Sequence, residues 1–343
     1  MDATLPCDDL PILKLEPLLK SAIWGGRRLA SSLGRALPEG IDVGESWEVA
    51  DLSGDQSLVA DGPFAGIPLG EIRGKQAAAL LGSAPLLDGR FPLVLKFIDA
   101  HDTLSVQVHP GPAACGRLGG GARPKTEAWY VMAGDPGSAL YVGLEQGVDR
   151  RAFEAAVAGG GVESTLHRRE ARAGEIVYIP AGTVHAIGGG ILLAEVQQSS
   201  DTTYRVFDWN RVGADGRPRR LHVAEALESI DFSRAGSPVF ALPRSGRPGV
   251  SCPEFTMEIL SREELSAGCA VPSAGPVALM GVGGKGAAEV RAGDASRRLG
   301  LGETLLVPAC RAGNLIVEGG VEGGVEGGDL TILAVLAGTV GGA

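Results

Sequence analysis

The sequence predicts a mainly β protein built from sandwiches or jelly-roll barrels, with a few short helices in its N-terminal half. Short runs rich in Val, Ile and Leu recur along the chain with turn residues between them. The 53 glycines and 21 prolines suit many short strands better than a helical bundle. A length of 343 residues and an apolar content of 44% indicate about two cored domains.

Two regions of predicted strands follow from these runs. In the first half, strands are expected at residues 93–99, 104–109, 126–133, 174–180, 191–198 and 204–209. Helices are expected at residues 68–82, 151–158 and 223–230, and a Gly-rich loop at 111–124. In the second half, strands are expected at residues 255–260, 277–280, 303–308 and 330–335, with a flexible Gly-rich loop at 317–328.

A boundary between the two halves is predicted near residues 233–249, which are rich in Ser, Pro, Gly and Arg. We therefore expect a first domain at 1–235 that includes the helices, and a second β domain at 250–343. The second part contains no histidine, so we expect it to be free of metal.

Charge and cysteine content exclude several classes of protein. The net charge is −10, and basic residues cluster only in short pairs such as Arg27-Arg28 and Arg219-Arg220. This argues against nucleic acid or an anionic membrane as the partner. The five cysteines are scattered, the N-terminus is acidic, and no apolar run approaches the length of a membrane span. These features predict a cytoplasmic protein with reduced thiols.

Polar side chains interrupt the apolar strands of the first half. They are Gln107, His109, Glu127, His185 and Arg205. Because side chains alternate between the faces of a strand, Gln107 and His109 share one face, and Arg205 shares its face with the aromatic residues two and four positions later. Polar groups buried without partners are costly, and a shared metal ion would satisfy two imidazoles and a carboxylate.

The set of His109, Glu127 and His185 therefore predicts a metal site, with Gln107 as a further oxygen donor. Zinc accepts such ligands and can keep a position for substrate. Sets of two histidines and a carboxylate also bind Fe(II), and separately hydrogen-bonded core histidines are the alternative without a metal.

Three charged residues are candidates for a catalytic role. Arg205 is interpreted as a fixed cation that stabilises negative charge on a substrate oxygen, with a surface salt bridge as the alternative. Lys125 shares the parity of Glu127 and is expected in the same cavity, unless it is solvated. Glu195 is expected to orient a ligand or Arg205. The remaining histidines are expected at the surface: His101, His167 and His222.

Five ordered segments form a set of long motifs: residues 91–99 (FPLVLKFID), 104–110 (LSVQVHP), 125–130 (KTEAWY), 179–187 (IPAGTVHAI) and 194–209 (AEVQQSSDTTYRVFDW). This set closely resembles the type I mannose-6-phosphate isomerases, and most of all their short bacterial form. The resemblance covers about residues 10–232, and only a general likeness to cupins remains after residue 250.

The resemblance implies a cupin fold, one zinc ion per chain and the interconversion of mannose 6-phosphate and fructose 6-phosphate. The pattern Gly-Glu-x-x-x-x-Pro, shared by residues 174–180 and 302–308, predicts two related barrels. Carried over by motif, the resemblance implies that His109, Glu127 and His185 are zinc ligands. Gln107 is implied as a weaker ligand, and Arg205 corresponds to the active-site arginine of the family.

The implied reaction moves a proton between C1 and C2 of the sugar through a cis-enediol, with zinc and Arg205 stabilising the enediolate oxygens. Glu195, Lys125 and a water on the metal stay open as the base. Lys125, and less strongly Arg27 and Arg28, are candidates for the phosphate. An Fe(II) oxygenase and a non-catalytic protein that binds a hexose phosphate stay open as other functions, and the sequence predicts no oligomeric state.

Overall fold

The computed structural model describes residues 10–213, 216–237, 249–319 and 330–338. The strands of the first half are β1 (Leu13–Lys14), β2 (Leu18–Gly26), β3 (Val43–Val49), β4 (Asp51–Leu52), β5 (Asp55–Gln56), β6 (Leu93–Ala100), β7 (Val106–Val108), β8 (Glu127–Gly134), β9 (Ala139–Leu144), β10 (Leu166–Glu170), β11 (Ile176–Ile179), β12 (His185–Ile187), β13 (Ile191–Gln198) and β14 (Tyr204–Phe207). Those of the second half are β15 (Gly249–Ser251), β16 (Phe255–Leu260), β17 (Cys269–Ala270), β18 (Val277–Gly283), β19 (Ala287–Ala292), β20 (Ala295–Gly300), β21 (Thr304–Val307), β22 (Leu315–Gly319) and β23 (Thr331–Ala337).

Short helices connect these strands. They are α1 (Arg28–Leu33), α2 (Leu69–Lys75), α3 (Ala77–Leu81), α4 (Pro112–Leu118), α5 (Arg150–Gly159), α6 (Val223–Ser229), α7 (Arg262–Ala267) and α8 (Ala309–Ala312). Single 3₁₀ turns lie at Gly62–Phe64, Val162–Thr165 and Phe232–Arg234. Within the described residues, no helix is long and apolar enough to cross a membrane.

The predicted mainly β class is confirmed, and a strand occurs at each predicted position. Two expectations about helices were wrong. The predicted loop at 111–124 contains α4, which begins at a proline, a residue well suited to the first turn of a helix. The second half contains α7 and α8, although helices were expected only in the first half. Ser261 and Glu264 form a capping box at the start of α7, a pattern that was legible in the sequence.

Four of the five sheets in the described residues form two pairs, and the fifth is the two-stranded sheet β4-β5. The first inner sheet has the antiparallel order β11-β8-β13-β6-β3-β2, and the first outer sheet has the order β10-β9-β12-β7-β14. The second inner sheet has the order β1-β21-β18-β23-β16-β15, and the second outer sheet has the order β17-β22-β19-β20. Separate apolar cores lie between the members of each pair.

A third core joins the two inner sheets, so the first inner sheet is covered on both faces. In β8, Trp129 and Val131 pack towards the first outer sheet. Ala128 and Tyr130 pack in the core that also contains side chains of the second inner sheet. This double burial explains why β6 and β13 are buried along their whole lengths, since each face of the sheet needs apolar side chains.

The second half is tied to the start of the chain. Strand β1 pairs with β21 through Leu13 and Leu306, and Ile12 lies in the core of the second pair of sheets. Across the described residues the strand orders do not close, so the two-barrel form is not confirmed. The division into domains 1–235 and 250–343 stays a prediction, and the segment 238–248 lies outside the described residues, as do Cys7 and most of the Gly-rich 317–328.

One polar stripe breaks the apolar contact between the first inner and first outer sheets. Lys96, Glu127 and Glu195 project from the inner sheet on the same face as its apolar contact residues, and all three are buried. Register pairs Glu195 with Lys96 on β6. Strands β7, β12 and β14 of the outer sheet carry the opposing polar groups, and the candidate site lies between the two sheets.

Candidate active site

The three predicted metal ligands come together in the structure. Candidate ligand atoms of His109, Glu127 and His185 all lie within 4.8 Å of one another. His109 Nε2 is 3.2 Å from Glu127 Oε2, and His185 Nε2 is 3.4 Å from Glu127 Oε1. All three residues are at most 1% exposed. The three side chains therefore surround one point.

Each imidazole is oriented by a backbone carbonyl. The Nδ1 of His109 donates to the carbonyl of Thr202 at 2.9 Å, and the Nδ1 of His185 donates to the carbonyl of Thr183 at 2.9 Å. A carbonyl can only accept, so the protons lie on Nδ1, and both Nε2 atoms turn unprotonated lone pairs towards the carboxylate of Glu127, which has no proton to donate to them. Metal-binding histidines are commonly fixed by such a bond.

The turn before His185 positions both histidines. Thr183 N–H donates to the carbonyl of Pro180, and Gly182 N–H donates to the carbonyl of His109 at 2.8 Å. Gly182 has φ +91°, in the left-handed region that favours glycine. A Cβ at this position would lie 3.2 Å from Asp231 Cβ. The glycine thus permits the turn that brings the two imidazole-bearing segments together.

The electrostatic environment keeps these three side chains in the protonation states that bind a cation. Burial is the largest cause that lowers the pKa of His109, to about 3, and it also lowers the pKa of His185. Burial alone would raise the pKa of Glu127, but Lys125 and the two histidines outweigh it and hold that pKa well below its usual range. Neutral imidazoles and a carboxylate are the protonation states that metals require.

The oxygens of Glu127 also fit a metal. Both are buried and accept no hydrogen bond of good geometry, although three cationic or imidazole nitrogens approach them. One of these is Lys125 Nζ, which lies 3.0 Å from Glu127 Oε2 and 3.1 Å from His109 Nε2. Gln107 is also adjacent, with its amide 3.3 Å from His185 Nε2. The donor set has the chemistry of a zinc or iron site.

A cavity of about 330 Å³ opens beside this set, a volume suited to one small ligand. Gln107 and Lys125 line its end next to the histidines. Its other charged or titratable lining residues are Glu45, Lys96, Glu195, Asp201, Arg205, Arg219 and His222. Trp24 and Trp47 contribute aromatic surface to the wall.

An ion-pair triad forms one wall of the cavity. Lys96 Nζ lies 3.1 Å from carboxylate oxygens of both Glu45 and Glu195, and 4.9 Å from the centre of the Trp47 ring. The two carboxylates outweigh the burial that would otherwise lower the pKa of Lys96, and that pKa is raised. Trp129 Nε1 donates to Glu195 at 3.0 Å, so Glu195 is held at both oxygens.

The opposite end of the cavity is cationic. Arg205 donates from Nε to Ser105 Oγ at 3.2 Å and from Nη1 to the carbonyl of Arg220 at 3.0 Å. Burial and the neighbouring Arg219 lower the pKa of Arg205. Arg219 is held by buried Asp208, with Nε 2.7 Å from Oδ2. Asp208 thus fixes the guanidinium of Arg219 beside that of Arg205, which contacts no carboxylate among the described residues.

Several sequence-based expectations needed correction here. Arg205 faces the cavity, but Phe207 and Trp209 pack on the outer side of the first outer sheet. A β-bulge between Arg205 and Phe207 reverses the alternation after the arginine. His222 lines the cavity instead of the open surface.

The other surface and phosphate candidates lie apart from the cavity. His101 is exposed as expected, and His167 is half-buried. Arg27 donates to backbone carbonyls near residue 40, and Arg28 pairs with Asp135. Neither arginine lines the cavity.

Sequence reasoning missed Glu45, Lys96, Asp201 and Arg219 as lining residues. Lys96 sits within an apolar run, where a single lysine on the buried face was the available signal. Arg219 follows β14 in an irregular segment. Its position depends on tertiary packing, which no repeating pattern in the sequence predicts.

Comparisons with known proteins identify relatives of this chain. The family model described as phosphomannose isomerase type I, catalytic domain, matches residues 12–125. A mannose-6-phosphate isomerase of Streptococcus mutans is 38% identical over 235 residues, which are 67% of this chain and 70% of the relative. The mannose-6-phosphate isomerase ManA of Bacillus subtilis is 37% identical over 220 residues, which are 64% of this chain and 68% of the relative.

Solved structures extend the likeness over nearly the whole chain. The mannose 6-phosphate isomerase from Bacillus subtilis superposes with a TM-score of 0.77 at 25% identity, covering 95% of this chain and 99% of the other. The apo form of the enzyme from Salmonella typhimurium gives a TM-score of 0.70 at 14% identity, covering 96% and 100%. The latter identity supports the fold alone.

Proposed function

Because this chain belongs to the type I phosphomannose isomerase family, we propose that it is a zinc-dependent isomerase of mannose 6-phosphate and fructose 6-phosphate. The activity rests on relatives of that name, one of them 38% identical over 70% of its length. The metal rests on the buried set of His109, Glu127 and His185. This set is the single observation that carries the chemistry.

In this proposal, His109, Glu127 and His185 hold one zinc ion through Nε2, a carboxylate oxygen and Nε2. Gln107 is the fourth donor, since rotation of its amide would turn the oxygen towards the same point. Bound there, zinc supplies a Lewis acid that polarises the oxygens at C1 and C2 of the sugar. The carbonyls of Thr202 and Thr183 keep both imidazoles aimed at it.

The substrate then lies along a row of side chains on the first outer sheet. Register aligns His185 with Gln107, and Gln107 with Arg205. Neighbouring strands are about 4.8 Å apart, so this row spans about 10 Å, which suits an open-chain hexose phosphate. C1 and C2 lie at the His185 end, and the phosphate lies between Arg205 and Arg219, where guanidinium groups match its geometry.

We assign the proton transfer to Glu195 and the stabilisation of the developing negative charge to Lys125. As a carboxylate, Glu195 accepts the proton from one of the two carbons and returns it to the other, through a cis-enediol. Lys125, as an ammonium beside Glu127, donates hydrogen bonds to the oxygens that become negative. The sequence had given that charge-stabilising role to Arg205. The distances favour Lys125, because its Nζ is within 3.1 Å of two proposed zinc ligands.

Metal analysis and a coupled isomerase assay test the proposal together. We expect about one zinc per chain and turnover of mannose 6-phosphate. Glu127→Gln should lose both, whereas the matched exposed Glu145→Gln should lose neither. Glu195→Gln should keep zinc but lose about 100-fold or more in turnover. A zinc-loaded, folded protein without hexose phosphate isomerase activity would refute the proposed function, and full activity in Glu127→Gln would refute the metal site.

Finer features of the chain belong to the same proposal. We infer that both pairs of sheets are cupin-type units, that 1–235 is the catalytic domain and that 250–343 binds no metal. The absence of histidine after residue 222 and the apolar core of the second pair support this. Retention of zinc by Glu127→Gln at one ion per chain would contradict it. A cytoplasmic location stays a prediction.

A further inference from the structure

His222 is part of the cationic end of the cavity, although it lies in a different segment from the strands of the site. It precedes α6 and lines the cavity together with Arg205 and Arg219. Its backbone N–H donates to the carbonyl of Arg205 at 2.7 Å, and its ring lies 6.1 Å from the ring of Tyr204. Backbone and side chain are therefore both fixed against β14.

The ring of His222 has a defined tautomer. The backbone N–H of Arg205 donates to Nδ1 of His222 at 3.4 Å, so Nδ1 acts as an acceptor. In the neutral ring the proton is then on Nε2. This is the reverse of His109 and His185, which donate from Nδ1 and keep Nε2 as an acceptor. Backbone groups thus hold His109 and His185 in one tautomer and His222 in the opposite one.

The surroundings of His222 keep the ring neutral. Burial, Arg205 and Arg220 lower its pKa, and Glu225 opposes them more weakly. Arg219 lines the same cavity and adds positive charge to this end. Protonation of Nδ1 would also set two N–H groups against each other at the Arg205 backbone. His222 therefore presents an uncharged N–H donor next to two guanidinium groups.

We propose that His222 is a phosphate-binding residue that donates from Nε2 to one oxygen of the substrate phosphate, between Arg205 and Arg219. This inference rests on the proposed function and identifies the side chains that bind the phosphate of the substrate. A phosphate offers three terminal oxygens. Two guanidinium groups and one neutral donor can satisfy all three without burying a third positive charge, which would be costly in this cavity.

The chemistry predicts selectivity for phosphorylated sugars. A hydrogen bond from a neutral donor to a charged oxygen belongs to the stronger class of hydrogen bonds. Its loss should weaken the binding of a sugar phosphate by about tenfold or more. An unphosphorylated sugar makes no such bond, so its turnover should not change.

The test compares His222→Phe, which keeps an aromatic ring without a donor, with His222→Gln, whose amide nitrogen replaces Nε2. Binding of glucitol 6-phosphate, a polyol that cannot isomerise, is measured by calorimetry on the zinc-loaded protein. We expect Kd to rise about tenfold or more in His222→Phe and to recover partly in His222→Gln. His167→Phe, at a histidine outside the cavity, is the matched control and should bind as the unaltered protein does.

Steady-state kinetics separate binding from a structural role. In His222→Phe we expect a raised KM for mannose 6-phosphate, a kcat within about twofold, and unchanged kcat/KM for unphosphorylated mannose. An unchanged Kd for glucitol 6-phosphate, or an equal loss with mannose, would overturn the inference. Failure of the proposed function is distinguishable, because it would abolish turnover in the unaltered protein while the calorimetric comparison at His222 still reports on phosphate binding.

Discussion

Lys96→Met is the substitution that most directly tests the charge balance of the cavity wall. Lys96 is 6% exposed and its ammonium lies 3.1 Å from both Glu45 and Glu195. Methionine retains most of the apolar length of the side chain but removes the charge. The variant therefore leaves two carboxylates facing each other in the wall, together with a lost cation–π contact to Trp47.

The expected cost follows from the burial of the three groups. Removing one partner of a buried ion pair destabilises a protein by about 3–5 kcal/mol. Water reaches part of the triad, because the side chain of Glu45 is 22% exposed. We therefore expect the lower end, about 3 kcal/mol, which corresponds to about 150-fold in the unfolding constant.

Equilibrium urea unfolding of Lys96→Met, Glu195→Gln and the double variant measures this effect. Neutralising Glu195 in the Lys96→Met background removes one uncompensated carboxylate, so the double variant should be more stable than Lys96→Met. Lys75→Met, which removes the exposed pair with Glu71, should cost less than about 0.5 kcal/mol. Equal stability of Lys96→Met and the unaltered protein, or a double variant less stable than Lys96→Met, would refute the reasoning.

Three further substitutions test the site and the structure around it. Asp208→Asn removes the charge that fixes Arg219, so KM for mannose 6-phosphate should rise several-fold with little change in kcat; an unchanged KM would contradict this. Gly182→Ala should destabilise by about 1–2 kcal/mol and weaken zinc binding in a titration, whereas Gly174→Ala, with a similar φ of +87° and open space at Cβ, should leave zinc binding intact. Burial raises the pKa of Asp99, so ionisation of this carboxyl lowers the stability of the protein as pH rises from about 3.9 through the raised pKa. Asp99→Asn should therefore unfold at a higher temperature than the unaltered protein at pH 7, and at the same temperature at low pH. An equal increase in unfolding temperature at both pH values would contradict the assignment.

The sequence predicted that His109, Glu127 and His185 come together, because the pattern around each of them involves only a few neighbouring residues. His109 directly follows β7 and Glu127 begins β8, so regular alternation along these two strands predicted where both side chains lie, and the order of the motifs added His185. The sequence also predicted that Arg205 faces the site, but it placed Phe207 and Trp209 on the wrong face of the sheet. A β-bulge adds one residue without a reliable sequence signal, and it reverses every later side chain in the strand.

Residues that reach the cavity through tertiary packing could not be predicted in the same way. Arg219 and His222 lie in a segment without periodicity, and only its packing against β14 brings them to the cavity. Helix α4 was missed because glycine and alanine dominate the predicted loop, although Pro112 marks a plausible helix start. The arrangement of the four sheets also depends on contacts between residues far apart in the chain.

Both faces of the first inner sheet are covered, so the effect of a substitution there should depend on which face the side chain occupies. Along β8, consecutive positions serve different neighbours: Trp129 and Val131 lie on the cavity side, and Ala128 and Tyr130 contact the other half of the molecule. In a saturation mutagenesis screen, substitutions at both sets of positions should lower protein abundance, and those at odd-numbered positions should also affect turnover. A one-residue insertion would exchange the two sets at once, so this strand should tolerate no change in length.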